Sequence, residues 1–239
     1  MREREVDFSH PYLSRQIIAY IGNKRRLLPL ICKAIESCVE SACGPRPSWE
    51  GLRFLDLFAG SGAVSRLAKY LGFEVFSNDW EPYTYCINRA FLEIGESELA
   101  LMYEEHDGIG GMLRFLNSLP DPEPDRQYIA RHYCPAADGF EGHDFRKERL
   151  FYTLRNGLAI DKIRNAVEEL YPEEIVRESE SNAKEKDLLV ALLLYEEATH
   201  TNTSGVFKAY HKGFGGHGRD ALTRILAPIE LRAPALMTP

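Results

Sequence analysis

No run of apolar residues in this 239-residue sequence approaches the ~20 that a membrane-spanning helix requires, and the N-terminus, MREREVDFSH, is polar rather than signal-like. A cytoplasmic protein that engages no membrane is the expectation. Paired cysteines are also missing. Cys32, Cys38, Cys43, Cys86 and Cys134 are odd in number and show neither C-x-x-C spacing nor nearby paired histidines, so neither a disulfide framework nor a metal site is implied. They read mostly as buried thiols. The sequence lacks a positive net charge: the total of -7 argues against a surface that binds nucleic acid all over. A local basic face stays open, because an acidic run such as Glu173 to Glu180 can dominate the total from elsewhere. With 44% hydrophobic and 27% charged residues, the composition is that of a soluble globular protein able to bury a core as one large domain or two small ones.

Two familiar phosphate signatures are absent as well. The stretch FLDLFAGSG, Phe54 to Gly62, carries neither G-x-G-x-x-G nor the Lys-Ser/Thr ending of a P-loop. What it does carry is a short apolar strand broken by Asp56, then small residues, then a helical pattern from Gly62 through Leu71. Such a turn sits at the carboxyl end of a parallel strand, where open α/β sheets bind ligands. Gly60 and Gly62 lack the Cβ atoms that would hold a ligand away from the backbone. Phe73 to Phe76 alternates as a second strand and ends in Ser77-Asn78-Asp79. Asp79 can accept two hydrogen bonds at once, as from the hydroxyls of a ribose. Another nucleotide-binding turn, or a purely structural one, is the plainer alternative.

The remaining chain reads mainly helical. Gln16 to Glu40 leads into an amphipathic helix with Leu27, Leu30, Ile31, Ala34, Ile35 and Cys38 on one face. The basic cluster Lys24-Arg25-Arg26 reads on spacing alone as a solvated helix start. Trp80 suits either an aromatic wall for a base or core packing. Leu101 to Leu119 reads as helical, and Pro120 to Gly142 as a long irregular segment. Arg126, Arg131, His132, Arg146, Lys147 and Arg149 lie in and beside that segment, interleaved with Tyr128, Tyr133 and Phe140. Basic and aromatic residues so mixed suit phosphate contacts and base stacking, or serve as surface decoration. Phe151 to Leu170 and Asp187 to Ala198 read as two helices pairing across a polar linker, Tyr171 to Lys186.

Asp56 followed by G-x-G resembles the S-adenosylmethionine motif of class I methyltransferases. Tyr20-Ile21-Gly22-Asn23-Lys24, some thirty residues ahead, resembles the opening of the D12 class of adenine-specific DNA methyltransferases. The phrases around Tyr152-Thr153, Ile160-Asp161-Lys162-Ile163-Arg164 and Asn202-Thr203-Ser204-Gly205-Val206-Phe207 resemble that family's target-recognition region. The resemblance implies an α/β, Rossmann-like class I S-adenosylmethionine methyltransferase fold with an incomplete parallel sheet and a mainly helical target-recognition insertion. By the same likeness residues 1–98 would bind the cofactor, 99–220 would bind double-stranded DNA, and 221–239 would return towards a catalytic part. Tyr20, Lys24, Asp56, Phe58, Gly60, Gly62, Asp79 and Trp80 would form the S-adenosylmethionine site. Arg131, Asn202, Gly205, Phe207, Lys208, Tyr210 and Lys212 would contact DNA, with glycines Gly213, Gly215, Gly216 and Gly218 allowing close backbone approach.

The family's catalytic D-P-P-Y tetrapeptide is missing. Asp121-Pro122-Glu123-Pro124 lacks its aromatic, follows a helical pattern and lies before the recognition region. The expectation is therefore a split enzyme completed by a second polypeptide, or a shortened product, methylating the exocyclic amine of a flipped adenine without metal. A cofactor- and DNA-binding remnant that does not methylate is the alternative.

Overall fold

The computed structural model describes residues 6–19, 22–44, 49–139, 141–203, 209–215 and 220–237. They form a mixed α/β chain with a small parallel sheet and many helices, and their contacts divide into two units. One holds 1–17, 22–98 and 234–239; the other holds 18–21 and 99–233. Among the described residues, no helix is long and apolar enough to cross a membrane.

The first unit begins with the short helix α1 (Pro11–Ser14) and continues through α2 (Leu28–Cys43). Strands β1 (Arg53–Asp56) and β2 (Glu74–Ser77) pair in parallel, Phe54 opposite Val75 and Leu55 opposite Phe76. Helix α3 (Ala63–Tyr70) makes the crossover, α4 (Pro82–Leu92) follows β2, and α5 (Glu96–Leu99) runs to the boundary of the unit. Alternate strand residues face opposite sides. Phe54, Asp56, Val75 and Ser77 are half-buried, while Leu55 and Phe76 remain 61% and 47% exposed. Beneath the sheet, α3 buries Leu67 and Ala68 completely, and the Phe73 ring lies 5.1 Å from Trp49 and 5.7 Å from Phe54. The fully buried Arg66 lays its guanidinium 3.7 Å from the Phe91 ring centre and donates to the Arg15 carbonyl at 2.9 Å.

Helix α2 corrects two sequence readings. Its 16 residues start at Leu28, after a 3-10 turn at Arg25–Leu27, and its buried residues are Leu28 and Cys32. The expected face is rotated: Leu27, Leu30, Ala34 and Cys38 are exposed. An apolar residue type states a preference, and the element packed against the helix decides which stripe is used. Cys38 and Cys43 are exposed thiols and Cys86 is half-buried, leaving only Cys32 and Cys134 in the core.

The second unit contains α6 (Gly108–Ser118), α7 (Ile129–Tyr133), α8 (Leu154–Leu170), α9 (Glu173–Glu178), α10 (Glu180–His200) and α11 (Ala221–Leu226). Helix α8 packs against α10, burying Ile160, Ile163 and Val167 on one and Leu188, Leu189, Leu192 and Leu193 on the other. Each begins on a hydroxyl cap: Thr153 Oγ1 accepts from the Asn156 amide at 3.2 Å, and Ser179 Oγ from the Asn182 amide at 3.3 Å. The expected polar linker is thus largely helix, because Ser179 starts α10 well before its apolar stripe. The helical pattern expected from Leu101 is interrupted where Tyr103 and Asp107 adopt left-handed backbone, with φ of 61° and 57°. Residues 221–233 pack within this unit, where the Asn156 side-chain Nδ2 donates to the Ile225 and Ala227 carbonyls at 3.1 and 3.0 Å.

Candidate functional site

In the first unit, the turn after β1 is built by hydrogen bonds from both strands. The Ala59 amide donates to the Asn78 carbonyl at 3.0 Å, and the Gly60 amide donates to Asp79 Oδ2 at 2.8 Å. Asp79 Oδ1 also accepts from the Glu81 amide at 3.2 Å, a turn that launches α4. Gly60 and Gly62 take φ of 51° and 73°, a region costly for residues with a Cβ. A Cβ on Gly62 would also lie 2.5 Å from Asn88 Oδ1. Asn88 in turn donates to the Gly60 and Thr84 carbonyls at 3.3 and 2.9 Å, so α4 grips the turn from below.

Asp56 is half-buried at the end of β1, where its Oδ2 accepts from Ser65 Oγ at 2.8 Å. The structure therefore brings Asp56, Gly60, Gly62 and Asp79 together around one turn. Phe58 and Trp80 stand out from it, 89% and 93% exposed. Core packing is excluded for Trp80. Lys24 is exposed beside the 3-10 turn and donates to the Gly22 carbonyl. Tyr20 lies outside the described residues. Sequence reading missed Ser65 and Asn88, both buried polar residues on helices flanking the turn. Their signal was a small polar residue inside an otherwise apolar helical face.

In the second unit, Arg131 is exposed on α7 and Lys212 is exposed in the loop after α10, its Nζ 5.4 Å from the Phe145 ring centre. Asn202 corrects the expectation that its amide reads base edges. It is fully buried, and its side-chain nitrogen donates to the Leu150, His211 and Gly213 carbonyls at 2.9, 3.3 and 3.2 Å. That amide replaces the missing sheet hydrogen bonds of an irregular loop. Tyr210 is also a brace: its half-buried hydroxyl lies 3.2 Å from both the Phe145 and Glu148 carbonyls, and its ring packs on Phe151 at 4.8 Å. Gly205, Phe207 and Lys208 lie outside the described residues, as do Gly216 and Gly218.

The basic segment expected to be irregular contains α7, and residues of α8 hold it in place. Asn165 Nδ2 donates to the Arg126 carbonyl at 3.0 Å, and Arg126 pairs with Glu169 at 2.6 Å. Lys162 Nζ donates to the Asn117 and Leu119 carbonyls at 3.1 and 2.8 Å, satisfying the end of α6. A cleft of about 850 Å³ opens here, with Arg131, His132, Lys147 and Arg149 among its lining residues.

A glycine turn after a parallel strand, gripped by an acid from the next strand, is consistent with a methyltransferase fold. The chain belongs to the D12 class of N6 adenine-specific DNA methyltransferases, whose family pattern residues 20–225 match. It is 28% identical to the modification methylase LlaI of Lactococcus lactis subsp. lactis over 213 residues, 89% of this chain and 30% of that protein. It is 30% identical to the type II methyltransferase M.NlaIII of Neisseria lactamica over 193 residues, 81% of this chain and 49% of that protein. M.CviAII of Paramecium bursaria Chlorella virus 1 is 28% identical over 220 residues, 90% of this chain and 55% of that protein. The chain thus spans about half, or less, of these relatives' lengths. No solved structure matches it.

Proposed function

We propose that this chain is the cofactor-binding and target-recognition portion of a site-specific adenine DNA methyltransferase of a restriction-modification system. The observation that carries this reading is the Asp79–Gly60 hydrogen bond, which joins the acid after β2 to the turn after β1 in one polar cradle. The residues fit S-adenosylmethionine. Gly60 and Gly62 place no side chain at two positions of the turn, Asp79 presents carboxylate oxygens for ribose hydroxyls, and Asp56 supplies negative charge for the cationic methionine end. Trp80, exposed immediately after Asp79, offers an aromatic face to the adenine ring. Phe58, Lys24 and Tyr20 complete the proposed site.

When bound, the cofactor supplies an electrophilic sulfonium methyl, and transfer to the exocyclic amine of adenine releases one proton. The target must leave the duplex stack to be reached. Arg131, Gly205, Phe207, Lys208 and Lys212 hold the double-stranded DNA in this reading, with Asn202 and Tyr210 bracing the described residues nearby in sequence. The groups that accept from the adenine amine belong, in this reading, to a D-P-P-Y sequence that lies outside these 239 residues. The exposed Leu55–Phe76 pair offers an apolar sheet face to the polypeptide segment that carries it.

Methyl transfer from tritiated S-adenosylmethionine to mixed-sequence duplex DNA tests the proposal, with this chain alone and with a second polypeptide bearing D-P-P-Y. Label incorporated only with both chains is the expected result. Incorporation by this chain alone would overturn the split arrangement, and cofactor binding without transfer in either case would favour the remnant.

A further inference from the structure

Helix α7 has five residues, too few to be stable alone. Its first turn is held by a carboxylate from α8: the Ile129 amide donates to Asp161 Oδ1 and the Ala130 amide to Asp161 Oδ2, each at 2.8 Å. Asp161 is 4% exposed, and burial pushes its carboxyl above the usual range although these backbone donors oppose that shift. One turn earlier on α8, Gly157 brings the two helices together. A Cβ there would lie 2.3 Å from Cys134 Sγ and 3.0 Å from Ala130 Cα. Gly157 and Asp161 thus form a seat on which α7 rests.

The outer surface of α7 is basic and aromatic. Arg131 and His132 are exposed, and the Tyr128 ring, 64% exposed, lies 5.0 Å from that of His132. Across the cleft, Arg149 donates to the His132 carbonyl at 3.4 Å, and Lys147 is exposed. Two acids also line the cleft; one of them, Glu148, is engaged by the Ala136 amide at 2.9 Å and by His143 at 3.4 Å. Four basic groups therefore face one cleft in a chain whose net charge is -7.

We propose that Asp161 is a positioning residue for DNA binding: by fixing the first turn of α7, it aims Arg131 and His132 at backbone phosphates of the duplex. The proposal rests on the DNA-binding reading above. Phosphate contacts set register and orientation rather than sequence, so their geometry depends on a rigid mount. Asp161→Asn retains one acceptor but presents an amide to the second backbone donor, unseating α7 with little change in volume.

The test measures binding of a labelled mixed-sequence duplex by anisotropy across a salt series, using wild type, D161N, R131A/H132A and the triple variant. S-adenosylmethionine binding by calorimetry serves as a control. D161N should weaken duplex binding roughly tenfold and reduce the salt slope by about one, with cofactor affinity unchanged. In the R131A/H132A background, D161N should add no further loss. Unchanged duplex affinity in D161N would overturn the proposal, as would an equal loss in both backgrounds, which marks a merely structural role. A wild type that binds cofactor but shows no salt-dependent duplex binding would overturn the DNA reading and this proposal with it. Should D161N not fold, Asp161→Ser, with one acceptor on a smaller side chain, carries the same comparison.

Discussion

Asp79 Oδ2 accepts the Gly60 amide proton at 2.8 Å, so the acid that follows β2 also fixes the turn that follows β1. One side chain therefore shapes the cradle and offers it charge. Asp79→Asn can still accept from Gly60 while losing that charge and one acceptor. Its S-adenosylmethionine affinity should fall roughly 10- to 100-fold with little change in melting temperature. Calorimetric titration beside a melting curve checks this; equal cofactor affinity would remove Asp79 from the site.

Gly62 is constrained twice, by a φ of 73° and by Asn88 Oδ1 at 2.5 Å from any added Cβ. Gly62→Ala should cost roughly 2–3 kcal/mol of stability. Asn88→Ala in the same chain should return the steric part alone, so the two substitutions should be non-additive in urea denaturation.

Those constraints mark what could be seen in the sequence. The strand, acid and glycine turn were legible because alternation and glycine are local properties of the chain. The seat of α7 was not: a five-residue helix has no periodicity to detect, and the carboxylate that holds it lies 32 and 31 positions away. Asn202 misled for a related reason. A run of small polar residues leading to a glycine reads as an exposed loop, yet its partners at Leu150, His211 and Gly213 place Asn202 in the core. Burial of a polar group depends on whether acceptors converge on it in space, and no local pattern records that.

Glu196 should make stability depend on pH. It is 3% exposed on α10, and burial, with Glu230 adding to it and Arg232 opposing it, pushes its carboxyl up to about 7. Its folded value thus lies above its unfolded one, so the folded state holds the proton longer and stability from this group is lost as pH rises from about 4.5 to about 7. His200, 3.4 Å away, has a lowered value, chiefly through burial, and acts in the opposite sense as pH falls. Glu196→Gln should therefore match wild type near pH 4.5 and exceed it by roughly 1–2 kcal/mol at pH 8. Urea denaturation at both values reads the difference, and a gap that does not widen with pH would refute the assignment.

Leu55 and Phe76 are register partners on the exposed sheet face, at 61% and 47% exposure. If the proposed reading holds, Leu55→Asp with Phe76→Asp should leave cofactor affinity within about twofold while abolishing co-purification with an added polypeptide bearing D-P-P-Y, since two charges cannot be buried unpaired. Retained assembly would place the partner elsewhere.

Gln16 Oε1 accepts the Ala235 amide proton at 2.7 Å across 219 positions of sequence. On a ribosome, the first unit cannot close that contact until all of the second unit has been synthesised. The helical second unit, whose segment 99–233 is continuous, can fold while the strands wait, so translation order favours the second unit maturing before the first is sealed.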